Sequence, residues 1–274
     1  MPAGPGGYPS GYGHKRELEL ARLRALEEIA DPYSRAALER AGVGAGWSCA
    51  DVGAGAGSMA RWLAAAAGPA GRVVAVDVDT ALLESSHGAG VEVCRQDITA
   101  GPVPPGGFDL VHARFLLEWL PDPAAALTHL AASARPGGVV MVTDMDWGSR
   151  IPGPPAWEAV FGAVPRALTA MSGGAYQPGL GARLPGLLRT AGVTVAGGTT
   201  YQTIITPGSP EAPVHRSGDD PGAAGDGQPG HPGRRREHRL APGRRSAADD
   251  VVHPRRDRLG THTTMTALPS SPSC

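Results

Sequence analysis

Ala50-Asp51-Val52-Gly53-Ala54-Gly55-Ala56-Gly57-Ser58 is an apolar run that ends in an acid, passes through alternate glycines and opens into the helical pattern Met59-Ala60-Arg61-Trp62-Leu63-Ala64. A strand that turns through glycines into a helix gathers bare backbone N–H groups and a helix N-terminus at one point, where the anionic end of a ligand can sit. Glycine is plentiful in this chain, 40 of 274 residues, about twice the usual share, so glycine clusters also arise by chance. The setting separates this one from chance: a strand before it, a helix after it, and a second apolar run that ends in Asp77 near the ~20-residue offset of a nucleoside-binding βαβ unit.

Strands and helices alternate around the loop. Trp47–Val52, Arg72–Asp77, Val91–Cys94, Phe108–Ala113 and Val139–Asp144 read as five strands. Runs such as Val73-Val74-Ala75-Val76 and Val139-Val140-Met141-Val142 are apolar without alternation, as strands covered on both faces must be. Helices fall between them: Ser58–Ala67, a short one over Thr80–Ser86, and one that Asp122-Pro123 opens and Pro136-Gly137-Gly138 stops after about Ala134. Ahead of the first strand, Leu20, Leu23, Leu26 and Ile29 give Arg16–Ala30 an apolar side, and Asp31-Pro32 opens a second helix that Gly42 closes. Those two helices either cover the sheet or form a lid over the glycine loop. Beyond Trp147, Pro155–Met171 and Arg183–Thr190 read as helices and Val193–Thr206 as a sixth strand. The pattern predicts an open, doubly wound, mostly parallel α/β sheet with helices on both faces. Ligands bind such sheets at the carboxyl ends of the strands, which is where Asp51, Asp77, Asp97, Arg114, Asp144 and Asp146 collect.

Composition narrows the partners. Residues 1–212 hold fifteen Lys and Arg against nineteen acids, a net of −4, and the remainder ten Arg against seven acids, a net of +3. A nucleic-acid binder concentrates basic residues instead. Cys49, Cys94 and Cys274 have neither metal-ligand spacing nor the density of a disulfide scaffold, and the first two lie in apolar runs as reduced thiols. The first residues, Met-Pro-Ala-Gly-Pro-Gly-Gly-Tyr, carry no signal-peptide pattern, and no apolar run approaches the ~18 residues of a membrane span, so a cytoplasmic protein is expected. Residues 1–15, Gly- and Pro-rich with Tyr8 and Tyr12, are expected to be flexible.

The ligand at the loop turns on its spacing. A dinucleotide site has Gly-x-Gly-x-x-Gly or Ala, the third small residue letting the helix approach the strand under a pyrophosphate. Ser58 occupies that position here. The chain resembles instead the class I S-adenosylmethionine-dependent methyltransferases, a Rossmann-like fold, in a bacterial branch acting on small molecules. The resemblance covers residues 31–147 and is carried by Gly46-Trp47-Ser48-Cys49-Ala50-Asp51-Val52-Gly53-Ala54-Gly55-Ala56-Gly57-Ser58, Phe108-Asp109-Leu110-Val111-His112-Ala113-Arg114, Leu120-Pro121-Asp122 and Arg135-Pro136-Gly137-Gly138.

The resemblance implies roles. Gly53, Ala54, Gly55 and Gly57 would lie against the carboxypropyl part of S-adenosyl-L-methionine, with Asp51 near its ammonium group. Asp77 would accept from the ribose hydroxyls, Val78 would pack on adenine, Asp97 would accept from the exocyclic amine and Ile98 N–H would donate to the ring. His112, Ala113 and Arg114 would pass the methionine end. Plainer readings stand beside these: Asp79 as a helix cap, Asp97 as a loop acid, His112 as a hydrogen-bonding side chain at a strand end, Met141 and Met145 as filler. Methyl transfer from a sulfonium needs mainly alignment and desolvation. In many relatives a histidine precedes the Leu-Pro after the fourth strand; here Trp119 does, with Glu118 beside it. Glu118, Asp144 and His112 are the candidate bases, and no metal is expected.

From about Pro213 to Cys274 there is no Phe, Tyr, Trp or Ile, and runs such as Pro229-Gly230-His231-Pro232-Gly233-Arg234-Arg235-Arg236 predict disorder. The Arg/Pro/Gly/His bias is also that of a GC-rich gene read out of frame. Back-translated and moved one base, Pro254–His262 can read Pro-Ala-Val-Ile-Ala-Trp-Gly-Arg, which resembles the family's final strand, and Asp226-Gly227-Gln228-Pro229 can read Thr-Gly-Ser-Leu. The expectation is therefore a flexible segment 1–15, a methyltransferase domain 16–212, and a disordered, out-of-frame tail 213–274 that leaves the sheet without its final antiparallel strand. The activity expected is methyl transfer to a small organic acceptor, with a non-catalytic S-adenosylmethionine-binding protein and an NAD(P)-dependent reductase as competing readings.

Overall fold

In a computed structural model of the chain, residues 16–83, 88–149, 153, 155–203 and 259–269 are described. The first helix is α1 (Arg16–Arg40), followed by β1 (Ser48–Val52), α2 (Ser58–Ala67), β2 (Arg72–Asp77), β3 (Val91–Arg95), β4 (Phe108–Arg114), α3 (Pro123–Ser133) and β5 (Ala134–Asp146). The chain continues through α4 (Pro155–Met171), α5 (Leu180–Thr190), β6 (Val193–Thr203) and β7 (Leu259–Pro269), with one-turn 3₁₀ segments at Thr80–Leu82 and Leu117–Trp119. The strands form one seven-stranded sheet in the order β3-β2-β1-β4-β5-β7-β6. β1 to β5 are mutually parallel, and β7 runs antiparallel to both of its neighbours.

The unbroken apolar strands are explained by cover on two faces. On one face Ala37 and Leu38 of α1 and Met59, Ala60, Leu63 and Ala67 of α2 pack on Cys49, Val73, Leu110 and Met141. On the other, Leu127 and Leu130 of α3 and Leu180, Leu184 and Leu188 of α5 pack on Ala50, Val74, Val111 and Val140. The sheet order reverses between β1 and its two neighbours β2 and β4, and such a switch point opens a crevice at the strands' carboxyl ends. Close approach at β5 depends on Gly181, where a Cβ would stand 2.8 Å from that of Asp146.

Two expectations are corrected. Asp31-Pro32 does not open a separate helix, because α1 runs through Pro32 without a break. Asp31 is drawn into side-chain contacts with Arg35 and Arg114 rather than capping a helix end. The sheet also does not lack its antiparallel strand: Leu259–Pro269 pairs with β5 from Val140↔Ala267 to Asp146↔Thr261 and with β6 from Val193↔Pro269 to Thr203↔Leu259. The Thr-rich run suits a pleated ladder, and it satisfies the backbone groups that β5 and β6 would otherwise leave unpaired. The averaged composition of the tail concealed this local signal. The expected flexible residues 1–15, and the expected start of the out-of-frame tail at 213, lie outside the described residues. Among the described residues no helix is long and apolar enough to cross a membrane.

Candidate functional site

Gly53, Gly55 and Gly57 take left-handed φ values of 72°, 57° and 82°, which an L side chain would strain. Gly53 and Ala54 donate their N–H groups to the Val76 carbonyl at 2.8 and 3.1 Å. Gly55 N–H donates to Asp77 Oδ2 at 2.9 Å, and Asp79 N–H to Asp77 Oδ1 at 3.1 Å. One carboxylate thus fixes the loop to the end of β2. Burial raises the Asp77 carboxyl above its ordinary range, opposed by those N–H donors. Gln96 N–H donates to the Asp77 carbonyl at 3.1 Å, which brings the Asp97-Ile98 turn alongside. Asp97 Oδ1 accepts from Thr99 N–H at 2.9 Å and from its hydroxyl at 2.7 Å, while Ile98 is buried and its carbonyl lies 2.7 Å from His129 Nδ1. Val78, half-buried, gives its carbonyl to Arg95 Nε at 3.1 Å. Asp79 is a cap, accepting from Ala81 N–H at 3.0 Å.

α1 both covers the sheet and lies over the loop. Its C-terminal half packs into the core, whereas Leu23 sits 3.4 Å from where a Gly55 Cβ would stand. Ser58 N–H, at the start of α2, donates to Glu27 Oε1 at 3.1 Å, and Ser58 Oγ–H donates to Asp31 Oδ1 at 3.0 Å. Arg114 joins this cluster: Nη2 donates to Asp31 Oδ1 at 2.9 Å and Nη1 to Ser34 Oγ at 3.1 Å. Arg114 therefore ties the end of β4 to α1, and its neighbour Ala113 is buried in β4 opposite Val52. Burial raises the Glu27 carboxyl, with Asp31 adding to the shift and the Ser58 donors opposing it.

Of the candidate bases, Glu118 and Asp144 meet, and His112 lies on the other face of the sheet. Asp51 and His112 are opposite each other in the β1–β4 ladder, and side-chain alternation sends both toward the α1–α2 face. His112 Nδ1 lies 2.8 Å from Asp51 Oδ1. An ionised carboxylate only accepts, so Nδ1 carries the proton of this contact. The other ring nitrogen, Nε2, is buried without a hydrogen-bond partner. Asp144 alternates with Val140 and Val142 and so belongs to the α3–α5 face. Its Oδ1 accepts from Glu118 N–H at 3.2 Å, holding the turn after β4, and its Oδ2 is buried without a partner. Glu118 Oε2 accepts from Met145 N–H at 3.1 Å and from the Tyr176 hydroxyl at 3.4 Å. Burial pushes Glu118 up to about 8 and, with the Glu118 charge, lifts Asp144 in the same direction. Two buried carboxyls in one place keep at least one proton between them.

Reasoning from sequence missed Glu27, Asp31 and Ser34 as parts of the loop's cover, and Tyr176 as the partner of Glu118. Glu27 and Asp31 are one helical turn apart in sequence, which was a usable signal. Nothing in the sequence near Tyr176 points to residue 118.

Residues 12–171 match the family model of a methyltransferase domain. Over 120 residues the chain is 29% identical to the ubiquinone/menaquinone biosynthesis C-methyltransferase of Hahella chejuensis, covering 41% of this chain and 48% of that protein. Over 125 residues it is 34% identical to the trans-aconitate 2-methyltransferase of an Azoarcus species, covering 42% and 47%. The chain spans about half the length of these curated relatives. Among solved structures, Haemonchus contortus phosphoethanolamine N-methyltransferase 2, determined with phosphomonomethylethanolamine and S-adenosylhomocysteine, shares the fold at a TM-score of 0.58 and 14% identity, over 96% of this chain and 60% of that one.

Proposed function

The chain belongs to the methyltransferase-domain family, and from that premise we propose that it transfers a methyl group from S-adenosylmethionine to a small organic acceptor. The observation that supports this reading best is the joint placement of the glycine loop, Asp77 and Asp97 at one carboxyl edge of the sheet. The residues fit such a group. Asp77 retains lone pairs for two ribose hydroxyls after accepting from Gly55 and Asp79. Asp51 puts a carboxylate just before Gly53, suited to an ammonium end.

A pyrophosphate fits less well. The Glu27 carboxyl already takes the N–H of Ser58 at the start of α2, so a second anion there would meet like charge. That observation disfavours an NAD(P)-dependent reductase. The bound sulfonium supplies an already activated methyl group. What the chain contributes is alignment and exclusion of water: Leu23 covers the loop, Arg114 pins α1, and Asp144 fixes the turn after β4. His112 is engaged with Asp51, Asp144 with a backbone N–H, and Glu118 holds its proton at neutral pH. In this reading all three act as positioning groups, and the acceptor supplies its own nucleophile.

Calorimetry with S-adenosylhomocysteine and with NADP tests the reading. Binding of the first and none of the second supports it, and the reverse overturns it. A screen for transfer of a labelled methyl group then separates an enzyme from a non-catalytic binding protein.

A further inference from the structure

Beyond β5, at the same carboxyl edge as the loop, a cleft of about 790 Å³ opens between α4 and the segment that leads into α5. Trp147, Phe161, Pro165 and Pro178 give it flat apolar walls, and Arg166 is the charged residue in its lining. The aromatic wall is built rather than accidental. Trp147 Nε1–H donates to the Tyr176 hydroxyl at 2.6 Å, and Trp147 N–H to the Pro178 carbonyl at 2.9 Å, so the indole is fixed in place. Its ring centroid lies 5.9 Å from that of Phe161, which in turn stacks on Trp157 at 5.8 Å. Arg166 is exposed, and among the described residues no carboxylate pairs with it. One turn earlier, Gly162 makes room for the guanidinium: a Cβ there would stand 3.2 Å from Nη1.

Flat walls with one bare guanidinium at the rim select a planar ring bearing a single anionic group. We propose that this cleft binds an aromatic carboxylate, its ring against Trp147 and Phe161 and its carboxylate received by Arg166. The proposal rests on the methyl-transfer reading only in taking that ligand as the methyl acceptor.

Calorimetry on the full chain, with S-adenosylhomocysteine present, tests it with 2-naphthoate and its uncharged analogue 2-naphthamide. Naphthoate is expected to bind about tenfold tighter, and Arg166→Gln to erase the difference by weakening naphthoate alone. Gly162→Ala is expected to erode the same preference by displacing the guanidinium. Equal affinity of the two probes, or a preference that survives Arg166→Gln, overturns the proposal. If S-adenosylhomocysteine fails to bind while naphthoate still binds through Arg166, the cleft assignment stands and the methyl-transfer reading falls.

Discussion

Replacing Glu118 by glutamine is expected to stabilise the protein by an amount that grows with pH between 4.5 and about 8. Glu118 is 3% exposed, and burial is the main cause that lifts its carboxyl from 4.5 to about 8, against the Met145 N–H and Tyr176 hydroxyl that favour the anion. The unfolded chain releases this proton near 4.5 and the folded chain near 8, so between those values the folded state binds more protons. Stability from this group is therefore complete below 4.5 and is lost as pH rises toward 8. Each pH unit corresponds to about 1.4 kcal/mol, so at neutral pH the loss is roughly 3 kcal/mol. Glutamine keeps the shape and does not titrate. Asp144 shifts in the same direction, partly through the Glu118 charge, so Glu118→Gln also relieves Asp144 and the difference between the proteins reads the coupled pair. Thermal melts at pH 5, 6, 7 and 8 should show the variant's advantage widening, by about 2–4 °C for each kcal/mol in a chain of this size. A difference that stays constant over that range refutes the assignment of Glu118 as a buried neutral acid.

Asp77→Ala removes the acceptor of Gly55 N–H and, in the proposed reading, the acceptor for the ribose hydroxyls, so S-adenosylhomocysteine binding is expected to weaken about 100-fold; calorimetry showing unchanged affinity would exclude the ribose role. Gly53→Ala combines a φ of 72° with a Cβ 3.1 Å from Leu116, and should cost about 1–3 kcal/mol of stability along with cofactor affinity, read from melts with and without ligand. Arg114→Gln leaves Asp31, among the described residues, with Arg35 as its ion-pair partner and loosens α1 from the loop, so limited proteolysis within residues 16–40 should accelerate, and an unaltered cleavage rate would count against the tie. Burial pushes the Cys49 thiol up to about 12, so a disulfide reagent should modify it only on unfolding; fast labelling in the native state would contradict its burial.

The parallel part of the fold was legible because each step carried a local signal. Val73 to Val76 show two-sided cover without any knowledge of what covers them, and the Asp122-Pro123 start of α3 is a short-range hydrogen-bonding device, realised by Asp122 accepting from Ala124 and Ala125 N–H. Asp31-Pro32 carried the same local signal and misled, because Arg35 and Arg114 compete for the Asp31 carboxylate. Leu259–Pro269 was hidden for another reason: a strand placed between β5 and β6 is defined by long-range pairing, which a composition averaged over residues 213–274 does not register.

The order of residues by itself determined the loop Gly53-Ala54-Gly55-Ala56-Gly57, the acids at the strand ends and the family they imply, because φ preferences, caps and periodicity act within a few residues. Only the tertiary structure decided what each acid does. Asp77 holds the loop, Asp51 holds His112, and Asp144 and Glu118 meet in the core, where burial raises both carboxyls against the N–H donors that favour their anions. These partners and the desolvation around them are set by residues 22 to 61 positions away in the chain, and no local pattern encodes them.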